Sequence, residues 1–242
     1  MHCKARPHSS SSGSNRLAVP FAVFAALSIT GCMRAQVVES REFATSIGKD
    51  EAVVLLAKPH VEGTGTEEDF TDCVASDLSR GEHSKNGFRV DDNHKFVDAL
   101  FPWFEPSTAP TRPEGLTALF NRPLVAAKLA ETGVRYVVWF DGETRKTDGG
   151  GSIACGAGPG GAGCIGFGWW EKESDYVATV WDLKETRAAG TVSTNVTGTS
   201  ALVGVIVPLP FIARVQGTAC DRMADQLRSF LRGDDLAASS AP

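Results

Sequence analysis

The chain has no apolar run long enough to cross a bilayer as a helix. Its longest, Leu17 to Thr30, has fourteen residues and includes Pro20, against roughly 18 or more for a spanning helix. It has no run of basic residues, and its charge is −5, with 24 Lys+Arg against 29 Asp+Glu. That balance argues against a nucleic-acid partner or binding to anionic lipid by charge. There is no G-x-S-x-G, no H-E-x-x-H and no P-loop, so the common nucleophile, zinc-protease and phosphate-cradling signatures are missing. No histidine follows His94. Cys155 and Cys164 therefore have no imidazole nearby in sequence, and eight intervening residues do not make a zinc knuckle. No cofactor or metal is expected.

What is present begins at the N-terminus. Lys4, Arg6 and Arg16 lie in a Ser-rich stretch without acids, ahead of the apolar run, which is the plan of a secretory signal. The run ends in Ile29-Thr30-Gly31-Cys32. This resembles the lipobox read by lipoprotein-processing enzymes. The resemblance implies a thioether-linked diacylglycerol on Cys32 and cleavage before it, since only a thiol supplies the sulfur that takes the lipid. Residues 1–31 are thus expected to be removed, with three cations and no acid, which moves the net charge from −5 to −8. Each buried methylene contributes about 0.8 kcal/mol, so two or three acyl chains suffice for stable anchoring. Residues 32–50 have no sustained pattern and are read as a tether, 51–233 as a single domain and 234–242 as a disordered tail.

Within the domain, Ala52 to Ala57 is a continuous apolar run, as in a strand covered on both faces. Thr66-Glu67-Glu68-Asp69 starts a helix, with a hydroxyl at the cap and acids in the first turn. Phe70, Cys73, Val74 and Leu78 form its apolar face. Phe88 to Val90 is a short strand. Asp92 caps the next helix, which carries Phe96, Val97 and Leu100 and is stopped at Pro102. Asp91 and Asp92 beside His94 could be taken for an acid/base cluster, but adjacent acids ahead of a helix read as caps. His60 and His83 fall in loops. After a proline-rich loop at 102–113, Pro123 opens a helix closed by Gly133. Val134 to Phe140 is the clearest strand. Tyr176–Leu183 and Gly190–Thr197 make an antiparallel hairpin, and a helix over about 218–231 closes the domain. The fold expected is α/β (α+β): a mixed sheet of about five strands with helices packed on it, early βαβα order, then a hairpin and a C-terminal helix.

Residues 148–168 carry ten glycines around Cys155 and Cys164 and are read as a hairpin loop. Gly156 to Gly161 formally satisfies G-x-G-x-x-G. A dinucleotide site would need that pattern between a strand and a helix, and Pro159 and the flanking cysteines argue for a loop instead. With Cys3 leaving and Cys32 lipidated, four thiols remain and allow three pairings. In an oxidising compartment disulfides are expected, free buried thiols being the alternative. If the first and last helices share a sheet face, Cys73 pairs with Cys220 and Cys155 with Cys164. Phe167, Trp169 and Trp170, with Val205, Ile206 and Phe211, are unusually apolar for the loops of a soluble protein. They either cover the core together or form a surface for a partner or a membrane.

The strand VVLLA, the helix FTDCVASDL, the strand YVVWF, the stretch GWWEKESDYVATVWDLKETRAAGTVS and the helix CDRMADQL resemble, in order, a class of envelope lipoproteins. Their fold is like that of the curli-secretion lipoprotein and the N-terminal domain of the Tol-system propeller protein. Val180-Trp181-Asp182-Leu183-Lys184 followed by Arg187 is similar to that fold's hairpin, where a strand turns after its aspartate. The resemblance covers about residues 50–232. It implies a role in envelope assembly, secretion or maintenance through binding or scaffolding, on the periplasmic side of the outer membrane. The partners implied are the membrane through the lipid on Cys32 and an envelope protein, a second copy being one candidate. A hydrolase is the alternative and would require a deep polar pocket with clustered titratable groups; no catalytic residue is nominated. The sequence displays no two strands of about ten alternating residues that could line a barrel.

Overall fold

The computed structural model describes residues 33–57, 66–80, 88–104, 108, 110, 113–159, 161–206 and 208–234, with backbone alone at 66–67, 113, 164, 203–206 and 208–211. Ala52–Ala57 (β2), Thr66–Ser79 (α1), Arg89–Asp91 (β3), Asn93–Ala99 (α2), Pro113–Phe120 (α3), Pro123–Thr132 (α4) and the start of Val134–Gly158 (β4) realise the expected alternation. Gly161–Asp182 (β5), Arg187–Ile206 (β6), Pro208–Phe211 (β7) and Val215–Arg232 (α5) follow, and Met33–Arg41 (β1) precedes. The seven strands form one mixed sheet in the order β1-β6-β5-β4-β2-β3, with β7 also on β6. β2 runs parallel to β3 and β4, and the remaining pairs are antiparallel.

The continuous apolar run of β2 exists because helices cover both of its faces. Val53 and Leu55 join Tyr136, Val138 and Phe140 under α1 and α5. Ala52, Val54 and Leu56 join Val137 and Trp139 under α2, α3 and α4. On the first face Phe70 lies flat on Tyr176, with ring centroids 3.7 Å apart and planes at 3°, and meets Phe140 edge-on at 5.6 Å. Cys73 of α1 and Cys220 of α5 are joined by a disulfide, Cα atoms 6.2 Å apart, that closes a separation of 147 residues. The two helices do share a face, as that pairing requires. The caps also follow the sequence. Asp92 Oδ1 accepts the Lys95 N–H at 3.1 Å, and Gly133 ends α4 in the left-handed region with φ 73°.

Two expectations are overturned. Residues 33–50 are not a tether. β1 pairs with β6 along its whole length, from Met33 opposite Gly198 to Arg41 opposite Gly190. Beyond it, Arg41 Nη1 donates to the Phe230 carbonyl at 2.8 Å, Thr45 donates to the same oxygen, and Tyr136 exchanges hydrogen bonds with the Ser46 backbone at 2.9 and 3.1 Å. An edge strand is held by backbone bonds and needs few apolar residues, so MRAQVVESR carries little pattern. Residues 148–168 are also not a loop: they are the far halves of β4 and β5, and the hairpin turns only around Pro159.

The β5–β6 turn follows the expected plan. Asp182 Oδ1 accepts the N–H groups of Lys184 and Glu185 at 2.9 and 3.0 Å, and its Oδ2 takes a 2.6 Å ion pair from Arg135. Residues 1–31, expected to be a leader, together with Cys32, His60, His83 and residues 235–242, lie outside the described residues.

Candidate functional site

β4, β5 and β6 have 25, 22 and 20 residues, several times the usual strand length of about 5–6. Among the described residues β2 accompanies β4 as far as Phe140. Past that point β4, β5 and β6 continue as a three-stranded arm, joined by β7 against Ala201 to Gly204.

Two zones divide the arm. The first is a belt of charge. Arg145 stands opposite Glu173, Lys146 opposite Lys172 and Asp148 opposite Glu171. Arg145 Nη2 pairs with Glu173 Oε2 at 2.9 Å, and Asn195 donates to the other oxygen of Glu173 at 2.8 Å. Beyond the belt charge stops. Residues 149–170 contain no ionisable side chain other than the two cysteines, and 188–213 contain none.

The distal ladder runs Gly149↔Trp170 to Gly158↔Gly161. Antiparallel partners share a sheet face, so the register sorts the residues. Ile165, Phe167 and Trp169 lie on one face with Ala154, Ser152 and Gly150 of β4, Val205, Val203 and Ala201 of β6, and Leu209 and Phe211 of β7. The other face carries Gly166, Gly168 and Trp170, opposite Ile153, Gly151 and Gly149 and opposite Gly204, Leu202 and Ser200. Four of the six residues expected at an interaction surface (Phe167, Trp169, Val205, Phe211) therefore share a face. Trp170 and Ile206 belong to the reverse.

No helix covers the distal arm among the described residues. Ile165 is 77% exposed and Phe167 49%, while the tryptophans are half-buried at the base. Isolated surface apolar residues are ordinary, but a contiguous stripe of them is not.

Glycine is what lets the arm's strands approach so closely. Gly151 has φ 107° and Gly166 φ 140°, and a Cβ on either would stand 2.2 Å from a carbonyl oxygen of the facing strand. Here glycine marks close backbone approach, whereas in the sequence it suggested a loop. Cys155 is disulfide-bonded and stands opposite Cys164 in the ladder, near the tip.

The other candidates resolve into structural roles. The G-x-G-x-x-G pattern is the hairpin tip, with strands on both sides and no helix after it. Asp92 is the α2 cap, and the Lys95 N–H that it accepts holds its carboxyl below the usual range. Asp91 pairs with Arg89 at 3.2 Å. Asp77, Cys220 and Asp221 lie together, but the Cys220 sulfur is committed to Cys73. A cavity of about 470 Å³ lies between α4 and the β5–β6 turn, lined by Glu51, Leu129, Arg135 and Lys184 among others. Burial pushes the Glu51 carboxyl up, but the Lys184 ammonium and the Gly48 N–H outweigh that and hold it low. Its ion pair leaves no base there poised against a nucleophile. No helix among the described residues is long and apolar enough to cross a membrane.

No family model matches the chain, and no curated protein does. Among solved structures, a PelC dodecamer from Paraburkholderia phytofirmans is 12% identical, with TM-score 0.41, covering 82% of this chain and 98% of that one. The hypothetical protein CT253 from Chlamydia trachomatis is 9% identical, with TM-score 0.36, covering 75% and 98%. These are loose resemblances of fold.

Proposed function

We propose that the chain is an envelope lipoprotein, anchored through Cys32 and facing the periplasm, that works by binding or scaffolding rather than by catalysis. The observation that carries this reading is the arm: a sheet extension whose distal part, beyond the belt, has no charge and no covering helix among the described residues. The Ile29-Thr30-Gly31-Cys32 sequence after a secretory-type apolar run supports the anchor. The resemblance to the fold of the curli-secretion lipoprotein points the same way.

The test is processing in the native host. Wild-type chain should carry diacylglycerol at Cys32 by intact mass and accumulate unprocessed under globomycin, and Cys32→Ala should remain unprocessed without the drug. Cleavage that is insensitive to globomycin and unaffected by Cys32→Ala would reject the anchor. For the binding role, crosslinking in the native envelope should capture a partner through the wild-type arm and lose it with Phe167→Asp.

A further inference from the structure

We infer that the cavity between α4 and the β5–β6 turn binds a small amphipathic carboxylate, its head on Arg135 and Lys184 and its apolar part along α4. The inference adds a site to the binding role proposed above and depends neither on the arm nor on an anchor at Cys32.

Irregular backbone gathers at this end of the sheet. Ala52 faces Val134 but Val53 faces Tyr136, so Arg135 is an extra residue bulged out of β4 against β2. In the next ladder Val180 faces Gly190 and Trp181 faces Ala188, which leaves Ala189 as a second extra residue. Bulges re-aim side chains and are over-represented beside active sites. Thr186 also lines the cavity, with φ 53°, a left-handed conformation that threonine rarely adopts. Backbone outliers of that kind cluster at functional sites.

The cavity of about 470 Å³ falls inside the range of about 300–1,000 Å³ for small-molecule sites. Ala126, Leu129 and Ala130 recur at helical spacing on α4 and make an apolar wall. Leu183 of the turn lines it too. The charged lining is Asp50, Glu51, Arg135 and Lys184, so the cavity has an apolar wall and a charged group of residues beside it.

The donors and acceptors decide the head group. Glu51 accepts Lys184 Nζ on one oxygen and the Gly48 N–H on the other. Asp182 accepts Arg135 on one oxygen and two backbone N–H groups on the other. Every oxygen of these two acids is engaged, whereas the cations have donors to spare. Lys184 carries three N–H groups on a side chain that is 64% exposed. Arg135 carries five, of which Nη2 serves Asp182 while Nε is buried with no acceptor. A surplus of charged donors calls for an anionic acceptor, and a carboxylate suits both a guanidinium and an ammonium. An ammonium ligand would meet only Asp50, exposed at the rim.

The test is calorimetric titration of octanoate into the full chain, purified from the native host and held in phosphatidylcholine nanodiscs, with empty nanodiscs as the blank. Octanoate should bind saturably, one per chain, with a Kd below about 1 mM. Octanol should bind about tenfold more weakly, and octylamine no better than octanol. Lys184→Met should weaken octanoate about tenfold and leave octanol unchanged, and Lys184→Arg should restore octanoate. Ala130→Trp fills the apolar wall from an exposed position and should abolish binding with the melting temperature unchanged. Ala126→Trp, also exposed on α4, takes its place should Ala130→Trp melt lower. Octylamine binding as tightly as octanoate overturns the proposal. So does a titration that never saturates, or octanoate affinity that survives both tryptophan variants. Phe167→Asp should titrate like the wild type. A chain that captures its partner through the arm but takes no octanoate rejects this site alone. A chain that takes octanoate and crosslinks equally with and without Phe167→Asp upholds this site and rejects the role of the arm.

Discussion

Removing the Cys73–Cys220 bridge should lower stability far more than removing the bridge at Cys155, although both are disulfides of one sheet protein. Cys73–Cys220 closes a separation of 147 residues and ties α1 to α5 across the larger core cluster. On the chain-entropy model a loop of that size contributes about 5 kcal/mol by restricting the unfolded chain. For a domain near 200 residues each kcal/mol moves Tm by roughly 2–4 °C, so Cys73→Ala/Cys220→Ala should melt about 10–20 °C lower. Its urea m-value should rise, because the uncrosslinked chain exposes more surface on unfolding. Cys155 faces Cys164 across the arm near its tip, outside both core clusters. Cys155→Ser/Cys164→Ser should therefore leave the melting of the domain within about 2 °C of the wild type. Thermal and urea unfolding of both double variants, followed by far-UV circular dichroism, makes the comparison. Equal losses would refute the reasoning, since the arm would then be part of the cooperative unit. So would a fall below about 3 °C in the first variant, since the entropy argument would then fail.

Asp182→Asn should cost about 3 kcal/mol in urea unfolding. Its carboxylate is fully buried against Arg135 at 2.6 Å and holds the β5–β6 turn through two backbone N–H groups. A cost under about 1 kcal/mol would mean that the pair merely offsets its own desolvation. Thr186 in that turn has φ 53°. Thr186→Gly should raise the urea midpoint, by about 0.5–1 kcal/mol after the extra chain entropy of glycine is deducted; a lowered midpoint would contradict this. Burial, and then the nearby Asp77 charge, push the Asp221 carboxyl above its usual range. A raised carboxyl means that the folded state holds the proton more tightly than the unfolded one. That stabilisation is complete below the ordinary carboxylate pKa and is lost as pH rises through the raised one. Asp221→Asn should therefore melt higher than the wild type at neutral pH and match it near about pH 3; a difference that does not change with pH would count against the coupling.

How much of this was legible in the chain depended on whether side chains or backbone did the specifying. Ala52 to Ala57 could be placed because both faces of β2 are buried, which forces every position to be apolar. Asp92, Gly133 and Asp182 could be read because a cap or turn makes a specific chemical demand at one residue. Cys73 and Cys220 could be paired once α1 and α5 were assigned to one face. β1 gave no such signal: its partner is the backbone of β6, and six of its nine residues are exposed at the sheet edge. The arm misled in the opposite way. Gly151 and Gly166 are depleted residue types for strands, yet here the facing carbonyls leave room for nothing larger. The alternation Ile165-Gly-Phe167-Gly-Trp169 was visible as residues, but glycine at every second position hid the strand.

The strand character of residues 33–41 changes what an anchor at Cys32 could do. A coil of the eighteen residues 33–50 would span about 23 Å on average, leaving the domain to tumble freely over the membrane. A strand starting at the residue after the anchor removes that freedom. It fixes both the height of the domain and which end of the sheet points down, and that end is the one bearing the arm. An arm ending in a charge-free stretch about 33 Å long would be exposed to aggregation if it pointed into water. With a lipid on Cys32, the pairing of β1 with β6 would set the direction in which that arm points. The domain on the near side of the belt keeps both core clusters and the Cys73–Cys220 bridge, and neither cluster includes a residue of 149–170, so the arm is packed independently of the cores that hold the domain.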